Sequence, residues 1–377
     1  MKKVALITLW SMPNYGSALQ AYATQVILER CGYYCDVIYY VYPNEYHYNL
    51  GRYKPSIIEK FKTWISKTFR ISAYGKITDS LALFTSKELH LTRKFYSYDD
   101  LCKYNWNPYD AVIVGSDQVW NYKYVLGDKS FILGFVPDKI KKISIASSFG
   151  NSDIPTSYID LYQKYLSRLE AISVRENGGI KILKELNINR NNAILLDPTL
   201  MLSPKDYAPL YNTYNDNDNY KEEKYILLYG QYYAFEPRPY IFELCKYMAK
   251  KYNTKIIALE GMPYGESLRL YPEYIDKCGV HINEFFQIFK NAFMVVTSSF
   301  HGTAFAINYG RPLISIIPGT GDDRQLSLLK NLGIEKCAIT VNTNYDKIDP
   351  FYDVDYVKTK LNEIANSNIE WICNNLK

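Results

Sequence analysis

Histidine is scarce in this chain. There are four in 377 residues, and no H-x-x-x-H pair. The seven cysteines are scattered, C-x-x-C is absent, and the one close pair, Cys31 and Cys35, has no matching pair elsewhere. Neither a zinc site nor a disulfide framework is expected from that pattern, and a reducing compartment fits it. No apolar run is long enough to cross a bilayer. No block of like charges occurs, and a formal net charge of +5 is a mild excess that gives little reason to expect nucleic acid. G-x-S-x-G is missing, and the first strand–helix loop has a single glycine, which excludes a dinucleotide fingerprint and a Walker loop. D-x-D occurs as "DND" from 216, in a polar stretch, and "DVD" from 353, beside a helix start. Both read as solvated, which argues against a transferase that holds its metal on D-x-D.

What is present is a soluble α/β pattern. Apolar residues make up 47% and charged residues 22%, as in globular proteins, and the length exceeds what one core usually serves, so two domains are expected. Tyrosine is overused, with 38 residues, which fits biased codon usage or stacking against sugars. "VALITLW" after two lysines mimics a short signal peptide, yet a capped amphipathic helix follows it, so it reads as a buried first strand. Ser17 with Gln20 fits a capping box, Leu19, Tyr22, Ala23, Val26 and Ile27 share one face, Gly32 ends the helix, and "CDVIYYVY" is the next strand. That is a βαβ unit and implies a parallel sheet.

Further strands are "AVIVG", "ISIASS", "AISVR" and "AILLD", then, after a polar stretch at 203–224, "YILLYG", "KIIALE", "FMVVTS" and "LISIIP". Helices are expected at 238–252, 283–291, 302–309, 323–332 and 354–376. The resulting expectation is an N-terminal Rossmann-like domain over 1–203, with a helical, Tyr- and Lys-rich insert near 43–105, and a C-terminal Rossmann-like domain over 204–377. In the insert, Ile57, Ile58, Phe61, Trp64, Ile65 and Phe69 share a face beside Lys60, Lys62, Lys67 and Arg70. That helix reads as docked on the surface, with weak contact to the inner membrane face as the second reading.

Ligands of parallel sheets bind beyond the carboxyl ends of the strands, so the loops there hold the candidate residues. In "SSFHGTAFAINYGRP", His301 stands between a strand and a helix whose first amides, around Gly302 and Thr303, favour an anion. Charged, it binds phosphate; otherwise it passes a proton; the plainer alternative is a histidine packed at a turn. "NYGSALQ" repeats the arrangement with Asn14, Tyr15, Gly16 and Ser17. "VIVGSDQVWN" ends a strand with Asp117, a base or a hydrogen-bond acceptor for a sugar hydroxyl or else a turn cap, followed by Gln118. Arg175 in "ISVREN" is a fork for carboxylate or phosphate, or a salt-bridge partner of Glu176. Asp197 in "LLDPTL" reads first as turn chemistry, and Arg324 in "GDDRQLSLLK" lies near a helix start that faces the cleft.

In this order, "NYGSALQAYA", "YDAVIVGSDQVWN", "ISVRE", "LDPTL", "SSFHGTAFAINYGRPLISI" and "DDRQLSLLKNLGI" resemble the polysaccharide pyruvyl transferase family, from about residue 4 to 334. The resemblance implies a GT-B-like fold, two Rossmann-like domains facing a cleft, with the C-terminal helix returning to the first. It implies transfer of the enolpyruvyl group of phosphoenolpyruvate onto a sugar diol of a cell-surface polysaccharide or its lipid-linked precursor, giving a pyruvate ketal and phosphate. No metal or other cofactor is implied, and the setting is the cytoplasm. His301 and Asp117 are then the catalytic candidates; Arg175, Ser299, Gly302, Thr303 and Arg324 bind the donor; Asn14, Tyr15, Gly16, Ser17 and Gln118 line the cleft. Family members often carry an arginine two residues before the histidine. This chain has Ser299 there, so Arg324 or Arg311 is expected to supply the charge. A GT-B glycosyltransferase using a nucleotide sugar and a non-catalytic glycan-binding or assembly protein are the competing expectations.

Overall fold

A computed structural model describes residues 2–42, 73–211, 220, 224–232, 235–259, 271, 273–319 and 324–377. The basic helix expected at 56–70 and the "DND" stretch lie outside the described residues.

Two parallel sheets organise the chain. The first has the order β3-β2-β1-β4-β5-β6-β7, from β1 (Lys2–Ile7), β2 (Tyr33–Tyr40), β3 (Leu91–Phe95), β4 (Ala111–Val114), β5 (Lys141–Ser144), β6 (Ala171–Val174) and β7 (Asn191–Ile194). The second has the order β10-β9-β8-β11-β12-β13, from β8 (Tyr225–Tyr229), β9 (Lys255–Ala258), β10 (Ile275–Asp276), β11 (Met294–Thr297), β12 (Leu313–Ile316) and β13 (Ala338–Ile339). Every paired neighbour is parallel, as unbroken apolar runs such as "AVIV" and "MVVT" require when helices cover both faces. In each sheet the strand order reverses once, at β1/β4 and at β8/β11. Crevices open at such reversals, beyond the carboxyl ends of the strands.

The cores explain how the two halves meet. One apolar cluster lies on the far face of each sheet, and a third is shared between the halves. In the shared cluster Tyr15 stacks on Phe285 with ring centroids 4.7 Å apart and donates its hydroxyl to the Val280 carbonyl at 2.6 Å. Tyr207 packs on Phe286 at 5.1 Å. Burial pushes the Tyr15 hydroxyl far above the ordinary phenol range, so it stays protonated and keeps its donation to Val280. The C-terminal helix Val354–Leu376 returns to the first sheet: Tyr33 donates to the Leu376 carbonyl (2.6 Å), and the Asn368 side chain accepts from the Leu196 amide (2.7 Å).

The structure corrects four expectations. Cys31 and Cys373 form a disulfide across 342 residues, which pairwise spacing cannot reveal because the partner arrives on the returning helix. The cap of the first helix, Tyr15–Arg30, is Asn14, whose side chain accepts from the Ser17 amide; Ser17 and Gln20 form no capping box. Instead Gln20 ties the loop after β1 together by donating to Thr8 Oγ1, Leu9 O and Ser17 O. The insert is not wholly helical, since β3 completes the edge of the first sheet with Arg93 and Lys94 exposed, as suits an edge strand. The polar stretch that begins at 203 is not solvated at its start: Tyr207 and Tyr211 are buried.

Candidate functional site

The loops at the two reversals converge. From the first sheet come the start of the helix Tyr15–Arg30, the turn after β4, the end of β6 and the turn after β7. From the second comes the helix Phe300–Asn308, entered directly from β11. Asp197 is the hub of this convergence and is fully buried. One of its oxygens accepts from Arg175 Nη1 at 2.6 Å and from Ser116 Oγ at 2.8 Å. The other accepts the Thr199 amide at 3.0 Å and the Thr199 hydroxyl at 2.6 Å, capping the short helix Pro198–Met201. The turn chemistry read from "LDPTL" is real, but it is half of what the residue does. His301 Nε2 stands 3.8 Å from the same carboxylate, an ion-pair distance rather than a hydrogen bond. Burial alone would raise the Asp197 pKa; the proximity of His301 and Arg175 and the Thr199 hydroxyl outweigh it and hold the carboxyl far below the usual range.

Arg175 is also buried. Burial disfavours its charge, and Asp197, Asp117 and Glu176 more than compensate, raising its pKa. Its Nη1 is committed to Asp197, and Nη2 lies 3.8 Å from Asp117 Oδ1. Nε and Nη2 make no hydrogen bond, and neither does His301 Nε2. Three buried nitrogens from two domains therefore have unused hydrogen-bonding capacity next to one another, a costly arrangement in a resting protein and one that a small anion would satisfy.

The guanidinium of Arg175 lies 4.2 Å from the centroid of the Phe300 ring, and that of Arg324 lies 5.7 Å from the same ring. Phe300 thus gathers two cations through its π face. Arg311 is at the other end of the helix, where its Nε donates to the Tyr309 carbonyl, so of the two arginines weighed against Ser299 only Arg324 reaches this site. Glu176 sits behind the arginines. Its Oε1 accepts from Ser148 Oγ (2.9 Å) and the Phe149 amide (3.1 Å), and burial raises its pKa against the pull of Arg175 and Arg324.

Asp117 is held differently. Its φ is +73°, a left-handed conformation that a non-glycine residue adopts at a cost, often at functional sites. Ser17 Oγ donates to Oδ2 at 2.7 Å, and the Gln118 amide donates to Oδ1 at 2.8 Å. Because Asn14 is the cap, the Ser17 hydroxyl is left for this contact. Gln118 itself turns away to Asn121, whose side-chain amide it accepts at 2.7 Å.

Gly16 lies directly against His301 of the other domain. A Cβ there would lie 2.6 Å from His301 Cβ and nearer still to Cγ and Nδ1, so only glycine admits the imidazole. Gly302 has another reason. A Cβ there would strike Tyr229 (2.8 Å) and Thr297 (2.9 Å), so it serves helix–sheet packing rather than the approach of a ligand. The amides of Gly302 and Thr303 are already spent on Ser299 Oγ (3.4 Å) and Ser299 O (3.0 Å), and the Thr303 hydroxyl bonds Ser315 at 2.8 Å. The expectation that these two amides hold the anion is corrected: the helix starts two residues earlier than read, with Ser299 as its cap, so His301 lies within its first turn. Among the described residues, no group of three or more His, Cys, Asp or Glu side chains is placed to hold a metal.

The family model for polysaccharide pyruvyl transferase matches residues 14–319. The chain belongs to that family. The match begins at Asn14, the helix cap, and includes every strand end that reaches Asp197. Comparison with curated protein sequences finds no match. Among solved structures, the fold resembles Staphylococcus aureus MnaA in its UDP co-structure (12% identity, TM-score 0.55, 99% of this chain and 95% of that one covered). It also resembles the UDP-GlcNAc 2-epimerase of Methanocaldococcus jannaschii in complex with UDP-GlcNAc and UDP (14%, 0.50, 99% and 99%) and that of Neisseria meningitidis bound to UDP-GlcNAc (12%, 0.51, 100% and 99%). The pyruvyl transferase family member described here therefore has the two-domain GT-B-like architecture. Among the described residues, no helix is long and apolar enough to cross a membrane.

Proposed function

We propose that this protein transfers the enolpyruvyl group of phosphoenolpyruvate to two hydroxyls of a sugar, on a cell-surface polysaccharide or its lipid-linked precursor, giving a pyruvate ketal and phosphate. The observation that carries the reading is the set of unpartnered nitrogens, Arg175 Nε and Nη2 and His301 Nε2, with Arg324 beside them across Phe300. A compact donor with a carboxylate and a phosphate matches a fork, a second guanidinium and an imidazole.

The chemistry assigns work to each group. C3 of the donor must gain a proton, which leaves positive charge at C2; one sugar hydroxyl attacks C2 and loses its proton, the C2–O bond to phosphate breaks with its electron pair leaving on phosphate, and the second hydroxyl adds to C2 and loses its proton, closing the ketal. In this reading Arg175 and Arg324 hold the anionic groups, and His301 donates the proton or binds the leaving phosphate. Asp117, oriented by Ser17 and the Gln118 amide, accepts the proton of the attacking hydroxyl. A thermal-shift panel of phosphoenolpyruvate against UDP-sugars tests the reading, because a ligand selective for the native state raises the melting temperature. Stabilisation by phosphoenolpyruvate with phosphate release on adding acceptor is the expected result. Stabilisation by UDP-sugars alone would overturn it.

A further inference from the structure

The helix that carries His301 is seated on the first domain at both ends by a single turn. His301 and Asn308 are seven residues apart, which at 100° per residue places them about 20° apart on one face and about 10 Å along the axis. Turn 197–202 runs along that face. At one end Asp197 approaches His301 Nε2. At the other, Asn308 Nδ2 donates to Thr199 O at 2.9 Å and to Leu202 O at 2.8 Å. Asn308 is buried and has no contact with the anion-binding nitrogens. The turn is fixed in its own domain by Thr199 on Asp197 and by Asn368 of the C-terminal helix on the Leu196 amide.

We propose that Asn308 is a positioning residue: by clamping the far end of the helix to turn 197–202, it sets the register in which His301 meets Asp197 and Arg175. The clamp works through donation, because both partners are carbonyl oxygens that turn 197–202 presents to the neighbouring domain. An amide side chain fits that task. An isosteric carboxylate, having no donor, opposes it. The inference rests on the reading above for the identity of the anion, but its geometry stands without it.

The test is spectroscopic. With four histidines in the chain, the His301 imidazole Cε1–H signal is assigned by its loss in H301Q. N308D should move that signal and leave the other three histidines in place, whereas N308Q, which keeps the donor, should stay nearer the wild type. In titrations with inorganic phosphate, N308D should need on the order of tenfold more phosphate, given that a full ångström of misplacement costs about a hundredfold. A folded N308D with an unchanged His301 signal overturns the proposal. If N308D does not fold, N308A takes its place; equal His301 signals in N308A and N308Q overturn the proposal. A wild-type His301 signal that ignores both phosphate and phosphoenolpyruvate would count against the donor reading alone, since the comparison among Asn308 variants decides the positioning role without it.

Discussion

Gly16→Ala offers the sharpest test of the site, because the perturbation is one methyl group and the structure says where it goes. The added Cβ would lie 2.1 Å from His301 Cγ and 2.6 Å from its Cβ, and carbon atoms rest at about 3.5 Å or more, so the imidazole must retreat by about 1.4 Å. Gly16 is in the first turn of its helix, where alanine is the better helix former by up to about 1 kcal/mol, while overpacking costs about 1–3 kcal/mol. Stability should therefore fall by no more than about 3 kcal/mol, and the fold should persist. Ligand binding should suffer more. A contact between a charged group and the donor contributes about 1.5–3 kcal/mol, so losing the one from His301 weakens phosphoenolpyruvate about tenfold to a hundredfold in calorimetric titration. The decisive variant is the double one. H301G removes both the Cβ and the imidazole that the methyl group strikes, so G16A/H301G should bind phosphoenolpyruvate no worse than H301G, a coupling expected only of residues in contact. Additive losses would refute the reasoning, and so would wild-type affinity in G16A.

Three further outcomes follow from the same geometry. R175A breaks a buried pair and leaves the buried Asp197 without its guanidinium, so it should cost about 3–5 kcal/mol in urea unfolding and weaken phosphoenolpyruvate binding; a loss under about 1 kcal/mol would deny the pair its structural weight. Asp197 has a depressed pKa, so its contribution to stability is present above the unfolded carboxylate value near pH 4 and is lost as pH falls from there through the depressed folded value, whereas Glu176 has a raised pKa, so its contribution is full below about pH 4 and is lost as pH rises from there through the raised folded value. E176Q should therefore flatten the decline of wild-type stability above about pH 4, and parallel melting curves for the two proteins from acid to neutral pH would contradict this. Reduction of Cys31–Cys373 removes a cross-link over most of the chain and should lower stability by about 2–4 kcal/mol, checked by melting with and without reductant and by a C31S variant that no longer responds to it.

The sequence and the structure agree where a residue's neighbours in space are also its neighbours along the chain. Buried strands betray themselves as apolar runs, so "AVIV", "MVVT" and "LISI" are legible, as are the loops that must lie at their carboxyl ends. The two-residue strands β10 and β13 carry too few residues for any period, and β3 is an edge strand with charged side chains. Within the site, His301, Arg175 and Asp117 stand out because they are polar residues following apolar runs, a signal that belongs to one segment at a time. Asp197 carries that signal too, but the proline after it supplies a sufficient local reason, and a local reason hides a distant one. Its Oδ1 does what the turn demands; its Oδ2 takes a guanidinium from 22 residues away, and nothing in "LDPTL" distinguishes the two oxygens. The same holds for Ser17. A serine three residues before a glutamine reads as a cap until Asn14 is found to do the capping, and the freed hydroxyl then reaches Asp117, 100 residues on. Asn308 has no local signal, since it lies at the last position of its helix and its partners are carbonyls, which every residue has. What the sequence conceals is therefore of one kind: polar groups whose partners come from a different strand end. A site built where two sheets reverse consists largely of such groups, because each loop can supply one or two side chains and the proposed chemistry draws on four, Arg175, Arg324, His301 and Asp117.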